Sequence, residues 1–262
     1  MAAGETLADA AGDVSVRVLH AHEEFQETLE VQRQVWGFAD IELVPWRICL
    51  VAQEAGGLVL GAYLGGKMVG FSFALGGLKP GGRAYWHSHM TGVLPEHQNR
   101  NIGRLIKLKQ RQEAIRAGVG LIEWTYDPLE IRNAHFNTER LGSIVRRFVP
   151  NQYGITTSRL NFGLPTDRLV AEWHVASPRV AAVVDRGEAL AKNVDAEIAV
   201  PGNIDDIRRD DPAAARLIQT RVREQFLGYL REGLAVVGFR RGEPNSAYLM
   251  GRPGEQPAHA SW

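Results

Sequence analysis

The chain has 262 residues, 45% apolar and 23% charged, which allows one large domain or a medium one with an appendage and excludes wholesale disorder. Thirty Lys and Arg balance thirty Asp and Glu, and neither half is markedly basic, so a nucleic-acid partner held by dense phosphate contacts is excluded. The lone Cys49 leaves no internal disulfide and no Cys-based zinc site, the opening residues lack a signal peptide's basic and apolar regions, and no apolar run could span a bilayer. A soluble, cytoplasmic protein with no membrane partner is expected.

In chain order, residues 1–13 are small and polar and read as a disordered start. "VSVRVLH" (14–20) alternates like a strand, and "HEEFQETLEVQRQVW" spaces Phe25, Leu29, Val35 and Trp36 as a helix that Gly37 can end. Residues 38–56, with Pro45 and Trp46, read as a packed loop. Strands follow at 58–64 and 67–75, joined by Gly65-Gly66, and at 83–94. A helix is expected over 103–117, a strand over 120–126, a short helix over 130–141, and strands at 144–149, 156–163 and 168–175. Beyond 179 the texture changes. Asp211-Pro212 starts a helix with the apolar stripe Ile218, Val222, Phe226 and Tyr229, and "LAVVGF" and "SAYLM" form a last pair of strands. This order is a mixed α/β fold, with a domain over 14–178 and a C-terminal α/β extension over 179–262.

The stretch "VLPEHQNRNIGRLIK" (93–107) is strand, polar turn, helix, an arrangement in which free amides and the positive end of a helix converge on one anion. Asn99 and Asn101 stand where glycine would serve best, and asparagine is the commonest other residue to tolerate positive φ. Arg100, Arg104 and Lys107 add positive charge. No Gly-Lys-Ser/Thr follows, and the three glycines of a dinucleotide fingerprint are missing. Taken alone, the stretch is also compatible with an ordinary connection bearing a solvated basic face.

The same residues resemble the acyl-CoA pyrophosphate loop of the GNAT acyltransferase superfamily, Val-x-Pro-x-x-Gln/Arg-x-x-Gly-x-Gly/Ala. Val93, Pro95, Gln98 and Gly103 match, and Asn101 departs at the first motif glycine. "NAHFNTERLG" resembles the family's Asn-containing helix ending in Leu-Gly, with Asn133, Leu141 and Gly142 in register. "YWHSHMTGVLPEHQNRNIGRLIKLKQR", "WTYDPLEIRNAHFN" and "DRLVAEWHV" together look like a branch of predicted acetyltransferases, over roughly 14–178 and less specifically over 212–240.

The resemblance implies an acyl-CoA-binding fold in which acetyl-CoA or another acyl-CoA lies where the strands 83–94 and 120–126 splay apart. It implies phosphates on the amides of 98–104, with Thr91, Val93, Gln98, Asn99, Arg100, Asn101, Ile102, Gly103, Arg104 and Asn133 binding the cofactor. An amine then attacks directly, and the protein orients it and moves protons. Period-two geometry puts Tyr85, His87, His89, Thr91 and Val93 on one face of the strand. His87, six residues before Val93 where some relatives carry a catalytic glutamate, is the first choice of base, then His89, then Glu123. The family's usual acid, a tyrosine, is replaced by Thr138, leaving Tyr126 and Tyr153 as substitutes.

Asp127 could recognise the acceptor's amine, and Asn137 and Arg140 could contact the rest of it. The resemblance implies acetyl or succinyl transfer to a small-molecule amine or an amino acid. The alternative is a non-catalytic acyl-CoA sensor. "HSH" lacks a recognisable third ligand, so no metal is expected. The helix after Asp211 should pack on the domain, covering the acceptor side or a homodimer interface.

Overall fold

The computed structural model describes residues 13–154, 163–190 and 192–253. The chain separates into two compact units, one running to Ile122 and the other from Glu123 onward. The boundary expected near residue 178 is therefore not where compactness divides the chain.

The first unit holds β1 (Ser15–Val18), α1 (His22–Trp36), α2 (Trp46–Glu54), β2 (Leu58–Leu64), β3 (Lys67–Leu78), β4 (Ala84–Val93) and α3 (Ile102–Arg116). Its strands run in the order β1-β2-β3-β4, every neighbour antiparallel. Gly65 and Gly66 take φ of 56° and 79°, the positive pair that a two-residue hairpin turn requires. α1 ends at Gly37 in the left-handed region, as its sequence suggests. The expected packed loop at 38–56 contains a helix instead. Pro45 precedes its first turn, where no amide is needed, and α2 buries Cys49 and Ala52.

The two faces of this sheet are covered differently. On one, α1 and α2 enclose Phe25, Val31, Cys49, Phe71, Phe73 and Met90. A Cβ on Gly92 would meet Trp36 of α1 on that face, whereas one on Gly70 would meet Ile106 of α3 on the other. Burying Phe71 and Phe73 contributes roughly 1.5–3 kcal/mol each.

β4 carries a bulge that sequence periodicity does not show. Phe73 pairs with Met90 and Ala74 with Ser88, so His89 is the extra residue. Ser72 faces Thr91 and Ala74 faces Ser88, while Leu75 faces His87. Residues directly opposite share a face. Ser88 and Thr91 thus lie on the α3 side, with His87 and Met90 on the other. The expected single face of Tyr85, His87, His89, Thr91 and Val93 is corrected: the bulge divides the two histidines from Thr91 and Val93.

The second unit contains most of β5 (Leu121–Tyr126) and α4 (Ile131–His135), which continues into a π turn over Phe136–Arg140. β6 (Ile144–Val149), β7 (Arg168–His174), α5 (Pro178–Val184), β8 (Ala196–Pro201), α6 (Ile204–Asp210), α7 (Pro212–Arg231), β9 (Ala235–Arg240) and β10 (Asn245–Gly251) follow. The strand order is β5-β7-β6-β9-β10-β8, and β6 bridges to β9 at Val145 and Val236. The C-terminal strands therefore continue the sheet of β5–β7 and do not form an appendage. Of the strand expected at 156–163, residues 156–162 lie outside the described residues.

α7 begins as expected: Asp211 accepts from the Ala214 amide at 2.9 Å, with Pro212 at the first helical position. Its Val222 and Phe226 are buried, and the Phe226 ring lies 5.7 Å from Phe148 and 5.0 Å from Tyr248. Among the described residues, no helix is long and apolar enough to cross a membrane.

Candidate active site

β4 ends at Val93 and passes through one 3-10 turn, Pro95–His97, into the polar loop. Gln98 Nε2 donates back to the Val93 carbonyl at 3.0 Å, closing the loop on the strand end. Asn99 and Asn101 then take φ of 60° and 63°, the glycine-like conformation expected of them. The amides of Arg104 and Leu105 bond to the Asn101 carbonyl at 3.0 and 3.1 Å, which starts α3. No described residue accepts from the amides of Asn99, Arg100, Ile102 or Gly103.

No carboxylate occupies the first turn of α3, and a Cβ on Gly103 would meet nothing within 4 Å. Unpaired amides, the positive end of a 15-residue helix and open space above Gly103 make a cradle for an anion. Exposed Arg100, 3.3 Å from His97 Nδ1, and half-buried Arg104 add charge beside it. Lys107 does not. It is turned inward, donating to Ser88 Oγ at 2.9 Å and Gln110 Oε1 at 3.0 Å, which corrects its placement among the loop charges.

The histidine rings lie 5.9 Å apart on the α1/α2 face of β4, and His89 stands edge-on to Phe73 at 6.0 Å. His89 is exposed and His87 half-buried. Desolvation lowers the pKa of His89, so its imidazole is a neutral base at neutral pH. Thr91 Oγ1 lies 3.1 Å from Ser72 Oγ on the α3 side, away from the histidines.

In the second unit, several of the residues expected to act have partners within the protein. Glu123 is buried, with Arg147 at 3.3 Å from its carboxylate. Tyr126 is buried beside Tyr248, and desolvation pushes its pKa well above the ordinary value, which makes it a poor proton donor. Asp127 accepts from the Leu129 amide at 2.8 Å and pairs with Arg208 at 2.6 Å, so it has an internal cation beside it. Asn137 is buried, its Oδ1 accepting from Trp124 Nε1 at 3.2 Å.

Thr138 is fully buried and donates to the Ala134 carbonyl at 2.8 Å, so its hydroxyl proton is committed. Asn133 and Arg140 are exposed. Tyr153 is exposed too, with its Oη 3.0 Å from Thr125 Oγ1. Trp173 packs edge-on against Trp124 and donates to the Leu141 carbonyl at 2.7 Å. Among the described residues, no group of three His, Cys, Asp or Glu could hold a metal ion.

Sequence reasoning missed the cluster around Lys107. Its signal was present, since Lys107 and Gln110 interrupt the apolar positions Leu105, Ile106 and Ala114 of α3. The signal is easily passed over because the partners, Ser72 and Ser88, lie on strands far away in the chain.

No protein-family model matches the chain, and no curated protein sequence matches it. Solved structures do. The ribosomal-protein-S18-alanine N-acetyltransferase from Escherichia coli is similar with a TM-score of 0.51 and 16% identity, over 63% of this chain and 95% of that one. The acetyltransferase of the GNAT family from Streptococcus pneumoniae is similar with a TM-score of 0.50 and 14% identity, over 61% and 98%. At such identities the likeness is one of fold.

Proposed function

We propose that this chain, which has the fold of the GNAT acetyltransferases, is a CoA-dependent N-acyltransferase that moves an acetyl or succinyl group from acyl-CoA to the amine of a small molecule, an amino acid being the favoured class. The observation that carries the reading is the turn before α3. Two asparagines in left-handed conformation leave the amides of Arg100, Ile102 and Gly103 without an acceptor among the described residues, and the space above Gly103 is open. That cradle suits the pyrophosphate of CoA.

Acyl transfer to an amine needs little covalent help from the protein. The thioester must be held still, the ammonium must lose a proton, and the thiolate must gain one. His87 and His89 are the proposed bases. Exposure and a lowered pKa favour His89, because an amine can reach it and its free base is favoured over that of an ordinary histidine. For the thiolate, Thr138 and Tyr126 are both poorly suited, which leaves solvent.

That shortage of acids favours one second reading, an acyl-CoA sensor without turnover. Free-thiol release from acetyl- and succinyl-CoA in the presence of pooled amino acids and amines separates the two. Thiol release that depends on an added amine supports the enzyme; saturable CoA binding with no release under any acceptor supports the sensor. Within the enzyme reading, His89→Ala should lower kcat roughly 10²-fold or more. It should also remove the acid-side activity that a histidine of lowered pKa sustains. An unchanged pH–rate profile would remove His89 from the mechanism.

A further inference from the structure

Five polar side chains of the first unit, Thr91 among them, are gathered on the α3 side of β3 and β4. Lys107, 4% exposed, donates to Ser88 Oγ at 2.9 Å and to Gln110 Oε1 at 3.0 Å. Gln110 Nε2 lies 3.2 Å from Ser88 Oγ and 3.3 Å from Ser72 Oγ, and Ser72 Oγ lies 3.1 Å from Thr91 Oγ1. Burial pushes the Lys107 amine down to about 7. Enclosing an amine and two hydroxyls is costly where Leu or Met would fill the same space.

The network touches β4 on both sides of its bulge. Ser88 and Thr91 are three residues apart and still share a face, which a regular strand forbids. With Ser88 held by Lys107 and Gln110, and Thr91 held through Ser72, the extra residue has to be accommodated between them. We propose that Lys107 is a positioning residue that pins the β4 bulge, and thereby keeps His87 and His89 on the face opposite α3. If Ser88 is released, residues 84–88 can advance by one into a regular ladder, which carries His87 to the α3 face. The functional consequence rests on the reading of these histidines as the reactive pair, whereas the positioning itself does not.

The test is Lys107→Met, of similar length, in the full chain. NMR of the native protein should show the cross-strand contact between Ala74 and Ser88 and the ring contact between Phe73 and His89. In the variant both contacts should weaken or be replaced, and the imidazole signals of His87 and His89 should move, with His97 and His174 as unmoved controls. Retention of both contacts with unchanged imidazole signals overturns the proposal. If Lys107→Met does not fold, Ser88→Ala removes the same anchor with a smaller change and is read by the same contacts.

Where the protein turns over acyl-CoA, kcat of Lys107→Met should fall at least roughly 10²-fold, the loss that a misplacement of only about 1 Å can bring, with CoA affinity unchanged. A native chain with no turnover would sink the acyltransferase reading and leave the contacts to decide the positioning.

Discussion

At Asn99 and Asn101 the backbone takes a conformation that costs most L-residues roughly 1–2 kcal/mol, and the short polar side chain of asparagine lessens that cost. Asn101→Gly should therefore keep or slightly raise stability and preserve CoA binding, whereas Asn101→Val should lose about 1–2 kcal/mol in urea denaturation. Equal stability of the two variants would mean that the left-handed conformation is not held in solution. Lys107 makes a separate prediction. Its folded pKa, about 7, lies below the ordinary 10.5, so between these values the unfolded chain holds a proton that the folded chain lacks. Stability relative to Lys107→Met should rise with pH across that window by about 1.4 kcal/mol per unit, the burial penalty being fully present below pH 7. A difference that stays flat from pH 7 to 9 would contradict the burial. At this scale the asparagines were legible because residue type itself signals positive φ. The facing of His87, His89 and Thr91 was not, since the bulge depends on Ser72, Lys107 and Gln110, and strict alternation assumes no extra residue.

Elements were legible where local chemistry closes them. Gly37 ends α1, Gly65-Gly66 turns the first hairpin, and Asp211-Pro212 starts α7, each through a few neighbouring residues. α2 was hidden because Pro45 serves a loop as well as a helix start. α6 was hidden because its burial, through Ile204 and Arg208, lies inside an acidic run that reads as solvated. Arg208 gives Asp127, which the sequence offered as a substrate contact, a partner that no local pattern reveals. The guanidinium, with 1% of its side chain exposed, pairs with Asp127 at 2.6 Å and Glu130 at 2.8 Å, partners some eighty residues earlier. Arg208→Met should cost about 3–5 kcal/mol, because it leaves two carboxylates without their cation. A loss under 1 kcal/mol in urea denaturation would show that these pairs contribute nothing to the tether between α6 and the β5–α4 loop.

At the scale of the whole molecule, the mixed α/β class was legible from the order of elements, but the division of the chain was not. The strands after residue 195 pair through β9 with β6, a long-range choice that no local pattern encodes. Ending the chain at residue 178 should strip β8, β9 and β10 from the second unit, expose the β6 edge and give insoluble protein. A soluble truncated chain with undiminished far-UV circular dichroism per residue would contradict that reading of the sheet. The central proposal concerns the turn before α3, and calorimetric titration of CoA into the intact protein and into Gly103→Val tests it most directly. Open space around Gly103 means that the side chain is accommodated without displacing protein atoms near its Cβ, while it intrudes where the pyrophosphate is proposed to lie. The expected result is saturable binding by the intact chain and an affinity at least about tenfold lower in the variant, some 1.4 kcal/mol, with an unchanged thermal midpoint. Equal affinity in the two proteins, or no binding by the intact chain, would contradict it.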